Sequence, residues 1–164
     1  GMGLEIAMHS LAISRVHIAA SNLGMSQRML EMTMKRIQDR VTFGKPLAKR
    51  QAIQQMVANM GTEINALRLM VWDCADDYDA GKDIEMKAAM CKLHSINTVR
   101  MVSDCMLEIF GGIGYFEDCA YGPVERMYRD CRAMWLEEGP PTVQRLTTFR
   151  GLEKRGGVID YLED

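Results

Sequence analysis

Residues 53–81 read IQQMVANMGTEINALRLMVWDCADDYDAG, and this stretch decides the fold. Ile53, Met56, Met60, Ile64, Leu67, Val71, Cys74 and Tyr78 recur every three or four positions, the period that keeps side chains on one face of an α-helix. Gly81 follows, and glycine ends helices because it enters the left-handed region without a Cβ penalty. A helix from about Ala48 to Ala80 is therefore predicted, longer than the usual helix of a globular domain.

Working outward, the same spacing predicts a first helix over Ile6–Arg40 on Met8, Leu11, Ile18, Leu23, Leu30 and Ile37, with Gly24 as a kink or close-packing point. It predicts a third over Ile84–Phe110 on Met90, Leu93, Val99, Val102, Met106 and Ile109. Asp83 is placed to cap that helix and Gly111-Gly112 to end it. Shorter helices are expected at Val124–Leu136 and Pro141–Leu152; the latter opens on prolines, whose missing amide hydrogens are not needed in a first turn. β-branched runs bounded by turn residues are nearly absent. The expectation is an all-α fold: an antiparallel four-helix-type bundle of three long helices plus shorter C-terminal helices. It should occupy residues 4–155, between N-terminal residues 1–3 and a polar tail at 156–164. Gly1 ahead of Met2 reads as a tag scar, with the natural chain expected to begin at Met2 as a complete small gene product.

The 164 residues suffice for one domain with a real core. Twenty basic against 22 acidic residues leave a net charge of -2, so no basic field draws in nucleic acid or an anionic membrane. No export signal and no membrane-spanning stretch is legible, and a cytoplasmic protein is expected. Five cysteines, an odd number without a C-x-x-C pair, suit reduced thiols. The 15 methionines mostly share the apolar stripes and read as adaptable core filler.

Residues that could carry chemistry are few. His9, His17 and His94 form no metal-binding spacing, and no G-x-S-x-G turn supports a serine nucleophile. Gly111-Gly112-Ile113-Gly114 ends a helix and is not G-x-G-x-x-G, so alone it reads as a helix stop. Arg40 to Lys45 (RVTFGK) is either a solvated helix terminus with a buried phenylalanine or a clamp for a phosphate beside a stacked base. At residues 135–141, WLEEGPP sets Glu137 and Glu138 against an abrupt stop. That is either a polar helix end or one acid held as a base at the mouth of a cleft.

Taken in order, these stretches resemble the C-terminal domain of the acyl-CoA dehydrogenase family of flavoproteins. The family reads R-x-x-F-G, a glutamine 11 residues after that arginine, Q-I-F-G-G-x-G-Y, P-x-E-R, R-D-x-R, E-G-T and Q-R. Here Arg40 to Gly44, Gln51, Glu108 to Tyr115, Pro123 to Arg126, Arg129 to Arg132, Glu138-Gly139 and Gln144-Arg145 match in order. The resemblance covers about Leu11 to Leu152 and implies the family's helical bundle, an assembly into a homodimer or homotetramer, and FAD as cofactor. It implies that Arg40, Thr42, Phe43 and Gln51 meet the pyrophosphate and adenine of FAD held by a neighbouring subunit. Glu108, Gly111 and Gly112 would wrap the adenosine half, and Pro140 and Thr142 would adjoin the flavin. Glu138 matches the base that removes the α-proton of an acyl-CoA thioester while a hydride leaves the β-carbon, and Arg15, 25 residues before Arg40, would lie beside it. Some branches place the base on the first long helix, but that slot is Ser14, which is no base at neutral pH.

Two departures from the family pattern stand out. Glu108 replaces a neutral glutamine, and its carboxylate would repel FAD phosphates. Pro140 and Pro141 replace a threonine and its successor, removing backbone donors. On the expectation that the natural chain begins at Met2, the family's N-terminal helical domain and middle β-domain would be supplied by a separate chain. The competing expectation is a non-catalytic or partner-dependent oligomerising module.

Overall fold

The structure, a computed structural model, describes residues 1–159; the end of the expected polar tail, residues 160–164, lies outside the described residues. Three long helices dominate: α1 (Gly3–Asp39), α2 (Gln51–Asp79) and α3 (Glu85–Phe110). The shorter α4 (Val124–Asp130) and α5 (Pro141–Lys154) follow. Gln27 accepts from Arg68 at 3.0 Å, and the His9 ring lies 6.3 Å from that of Tyr78, so α1 and α2 run antiparallel. Asn22 donates to Ser95 at 3.0 Å and Arg36 to the Phe110 carbonyl at 3.5 Å, so α3 runs alongside α1 in the same direction. Lys92 contacts the Gly139 carbonyl and Met86 packs on Gly151, which sets α5 antiparallel to α3. Up, down, up and down, these four form the bundle that the periodicity predicts.

The face that α1 buries differs from the predicted one. Met8 is exposed, and Leu11, Ile18, Leu23 and Leu30 are only half-buried; of the predicted stripe, Ile37 alone is buried. The sealed face is instead Ala12, Arg15, Ala19, Asn22, Ser26, Met29, Thr33 and Ile37, still spaced by three and four. The reason is the width of the helix contact. α3 offers an equally narrow face of Ala88, Cys91, Ser95 and Val99, so the two backbones approach closely and the larger side chains flank the seam. Gly24 is not a close-packing point, since a Cβ built there meets nothing within 4 Å. On α2 the predicted stripe holds over its middle, with Met60, Ile64, Leu67, Val71 and Cys74 all buried, while Ile53 and Met56 are half-buried and Tyr78 is exposed.

Three boundaries also differ. The residues between the first two predicted helices form a two-stranded hairpin, β1 (Val41–Thr42) against β2 (Lys45–Pro46). Phe43 at φ 47° and Gly44 at φ 74° make the two-residue turn with both central residues left-handed, whose twist suits paired strands. Asp83 lies one residue before the cap position, which is Ile84, though its carboxylate accepts the Glu85 amide at 3.0 Å. The predicted helix over Val124–Leu136 stops at Asp130, where the buried Cys131 thiol donates to the Tyr128 carbonyl at 3.0 Å and turns the chain inward; a single turn of 3-10 helix, Ala133–Trp135, follows. All five cysteines are free thiols.

Candidate functional site

Glu138 stands in a turn whose backbone is unusual for its residue type. The 3-10 turn ends at Trp135, and then Glu138 at φ 54° and Gly139 at φ 96° are both left-handed before Pro140 returns to an extended conformation and α5 begins. Glycine is required at 139, because a Cβ there would sit 2.9 Å from Gln144 Nε2. Glu138 has a Cβ and bears a cost of about 1–2 kcal/mol for its conformation. The two acids part at this turn, Glu137 exposed and Glu138 half-buried.

Two buried side chains hold the turn from beneath. Lys92 on α3 is 0 % exposed and donates to the carbonyls of Glu137 and Gly139, the latter at 2.7 Å. Gln144, also 0 % exposed, donates from Nε2 to the carbonyls of Glu138 and Gly139, both at 2.9 Å. Burial pulls the Lys92 pKa from 10.5 to about 8; the Arg15 charge pulls the same way, and Glu138 and Glu137 oppose it. Arg15, buried on α1, has its Nε and Nη1 without hydrogen-bond partners, and with Val143 and Thr147 it lines a cleft of 410 Å³ between α1, α3 and α5. Glu138, Lys92 and Arg15 are thus gathered at one place, while Pro140 and Thr142 stand where the turn enters α5.

The sign of the Lys92 shift gives an expected result. Between pH 8 and 10.5 the folded lysine has lost a proton that the unfolded chain still holds, so stability rises with pH across that window. Denaturant unfolding of the wild type minus that of Lys92→Met, measured from pH 7 to 11, should show this slope.

The other group of predicted residues lies at the far end of the bundle. Arg40, Thr42, Phe43 and Gln51 are collected by the hairpin and the start of α2, with the Leu47 amide bonded to the Arg40 carbonyl at 2.8 Å. Phe43 is 97 % exposed, and the Arg50 guanidinium lies 5.8 Å from its ring while donating to the Thr42 carbonyl. The phenylalanine is therefore not the buried one of the plain helix-terminus reading; its face is open to stacking. Gly111, Gly112 and Glu108 share a second cavity of 440 Å³ with Asp104, Leu107, Tyr115 and Tyr128. Gly111 at φ 64° and ψ -151° occupies a region that only glycine enters at low cost, and a Cβ built on either glycine meets nothing within 4 Å. Arg36 joins the ends of α1 and α3 through the Phe110 carbonyl.

These residues fit an adenine dinucleotide. The exposed Arg40 is a donor for phosphate, Phe43 an aromatic platform, and the glycine backbone is accessible. Glu108 is exposed in its cavity, where a carboxylate accepts from hydroxyl or amine groups and repels phosphate. The 19 residues from Lys92 to Gly111 separate the two groups by roughly 28 Å along α3. Among the described residues no cluster of three or more His, Cys, Asp or Glu could hold a metal, and no helix is long and apolar enough to cross a membrane.

The sequence reading missed Lys92, and it took Gln144 only as part of a motif. A signal existed: Lys92 stands four residues after Ala88 and three before Ser95, on the buried stripe of α3 where a charge is rare.

An all-α bundle carrying a carboxylate on a left-handed turn at one end and an arginine, aromatic and glycine cradle at the other defines a class. The acyl-CoA dehydrogenase C-terminal domain matches residues 1–153, and the chain belongs to that family. It is 36% identical over 155 residues to the acryloyl-CoA reductase (NADH) of Anaerotignum propionicum, covering 94% of this chain and 39% of that protein. It is 37% identical over 146 residues to the human mitochondrial short-chain specific acyl-CoA dehydrogenase, covering 89% and 35%. The solved butyryl-CoA dehydrogenase of Megasphaera elsdenii superposes with a TM-score of 0.89 at 35% identity, over 93% of this chain and 39% of that one. The chain thus spans about two fifths of the length of these relatives.

Proposed function

We propose that this chain supplies the base and an adenosine-binding half-site of an FAD-dependent enzyme that interconverts an acyl-CoA thioester and its α,β-unsaturated form. FAD, when bound, supplies the hydride acceptor or donor at the β-carbon. Glu138 takes the α-proton onto its carboxylate in the oxidative direction and returns it in the reductive one, as microscopic reversibility demands. Arg15 walls the acyl pocket beside it. Relatives named for both directions resemble the chain equally well, 36% and 37% identical, which supports a shared proton-transfer machinery. The N-terminal and middle domains of the family would furnish the other walls, from the same polypeptide or a separate chain.

The observation that carries this reading is the left-handed, half-buried Glu138 held over the buried Lys92 and Gln144. The separation of roughly 28 Å along α3 supports two half-sites serving two cofactors, hence a homodimer or homotetramer in which Arg40, Thr42, Phe43, Gln51, Glu108, Gly111 and Gly112 receive the neighbour's adenosine. Leu69 and Trp72, 55% and 58% exposed on α2, supply apolar surface for such an assembly.

The test is a flavin spectrum and a sizing run of the chain, alone and combined with the two remaining family domains, before and after adding FAD. Flavin uptake by an oligomer supports the proposal; a colourless monomer under both conditions overturns it and favours a non-catalytic helical module. Removing the Glu108 charge by Glu108→Gln is expected to tighten FAD binding by about 1 kcal/mol, roughly fivefold in Kd, read by flavin fluorescence titration.

A further inference from the structure

A lysine sealed from solvent is uncommon, and its ammonium must find acceptors or lose its proton. At Lys92 the acceptors are two main-chain carbonyls, one on each side of Glu138. Gln144 takes the Glu138 carbonyl between them and shares that of Gly139. Three consecutive carbonyls, at 137, 138 and 139, are therefore gripped by two side chains rooted in α3 and α5. Carbonyls of successive residues in an extended strand point to opposite sides. Here the left-handed backbone at Glu138 and Gly139 turns the three onto one support.

We propose that Lys92 is a positioning residue for Glu138: its ammonium, with the Gln144 amide, holds the turn in its left-handed form and thereby aims the carboxylate. The role of that carboxylate as a base rests on the function proposed above; the positioning itself does not. Any residue at 138 would be held by the same carbonyl contacts, whereas the aim of the side chain depends on φ there. The charged groups facing Lys92 are Glu138 and Glu137 from the turn and Arg15 from α1. Arg15 offers no acceptor, so the carbonyls are what satisfy the ammonium.

Lys92→Met keeps the length and apolar stem while removing the donor, and a buried charge replaced by a fitting apolar chain often leaves a fold intact. In NMR spectra of the full chain, the Glu138 amide-to-α-proton coupling and the 137–139 amide shifts should leave their wild-type values in Lys92→Met. Signals of Met60, Ile64 and Leu67 on α2 should stay. A folded Lys92→Met with an unchanged Glu138 coupling overturns the proposal. Glu138→Gln provides a second measurement that leaves the support in place. The carbonyl contacts from Lys92 and Gln144 are kept, so the amide-to-α-proton coupling at 138 should stay at its wild-type value; a coupling that moves would show that the carboxylate, not the support, sets the turn and would also overturn it. Both readouts need no flavin, so failure of the proposed enzymatic reading leaves them interpretable. Where the assembled enzyme turns over, Lys92→Met should lower kcat about 100-fold with little change in KM, the pattern of a misplaced base.

Discussion

Glu138→Gln is expected to abolish proton abstraction, lowering α-proton exchange of a bound acyl-CoA by about three orders of magnitude, within the range general bases contribute. The measurement is deuterium incorporation at the α-carbon, followed by NMR of the thioester in the assembled enzyme, which reads the proton step without reference to the electron acceptor. Glu137→Gln is the paired control. Its side chain is exposed, so exchange should stay within about twofold of wild type, as surface substitutions do. Glu138→Gly separates chemistry from strain. With φ at 54°, the wild-type residue bears a conformational penalty that glycine does not, so this variant should gain about 1 kcal/mol from strain relief while losing exchange as fully as the glutamine variant. A Glu138→Gln enzyme that exchanges normally would remove Glu138 from the proposed reaction.

How much of this arrangement the sequence discloses depends on the range of the interactions that build it. The helices of the bundle were legible because periodicity is local: Ile64, Leu67 and Val71 declare a buried face with no knowledge of the partner. Which face α1 buries was not, because Ala12, Ala19 and Ser26 become core residues only where another small-residue helix lies against them. Hydrophobicity alone favoured Leu11, Ile18 and Leu30, which instead flank the seam. The 41–46 hairpin was missed for a different reason: two residues per strand are too few for alternation to register. The candidate site was legible through motif order, yet the support under Glu138 was not. Lys92 is 46 residues from Glu138 in sequence, and only the α3–α5 contact brings the ammonium to the carbonyls.

Phe110→Ala should have the largest effect on stability, about 4 kcal/mol, because it empties the point where the core and the glycine loop meet. The ring is 2 % exposed and packs in a cluster with Met29, Met106 and Val124. It meets Tyr121 edge to face at 5.4 Å, and the Arg36 guanidinium lies 5.8 Å from its centroid. Gly114 presses on it so closely that a Cβ there would come within 2.7 Å of the Phe110 Cβ. Domains of this kind are stable by roughly 5–15 kcal/mol, so the loss is a quarter or more of the total. Urea unfolding should show a much lower midpoint with an unchanged slope, and Phe110→Leu, which keeps most of the volume, should lose less than about 1.5 kcal/mol. The consequence reaches the cofactor end first. Gly111 follows directly in its glycine-only conformation, and Arg36 ties α1 to the Phe110 carbonyl, so relaxation into the void displaces the Gly111-Gly112 backbone. Glu138, supported from Lys92 roughly 28 Å along α3, should keep its left-handed turn. Weakened FAD binding with an unaltered Glu138 coupling is therefore the expected signature, and equal damage at both ends would mean that the two half-sites are not independently supported.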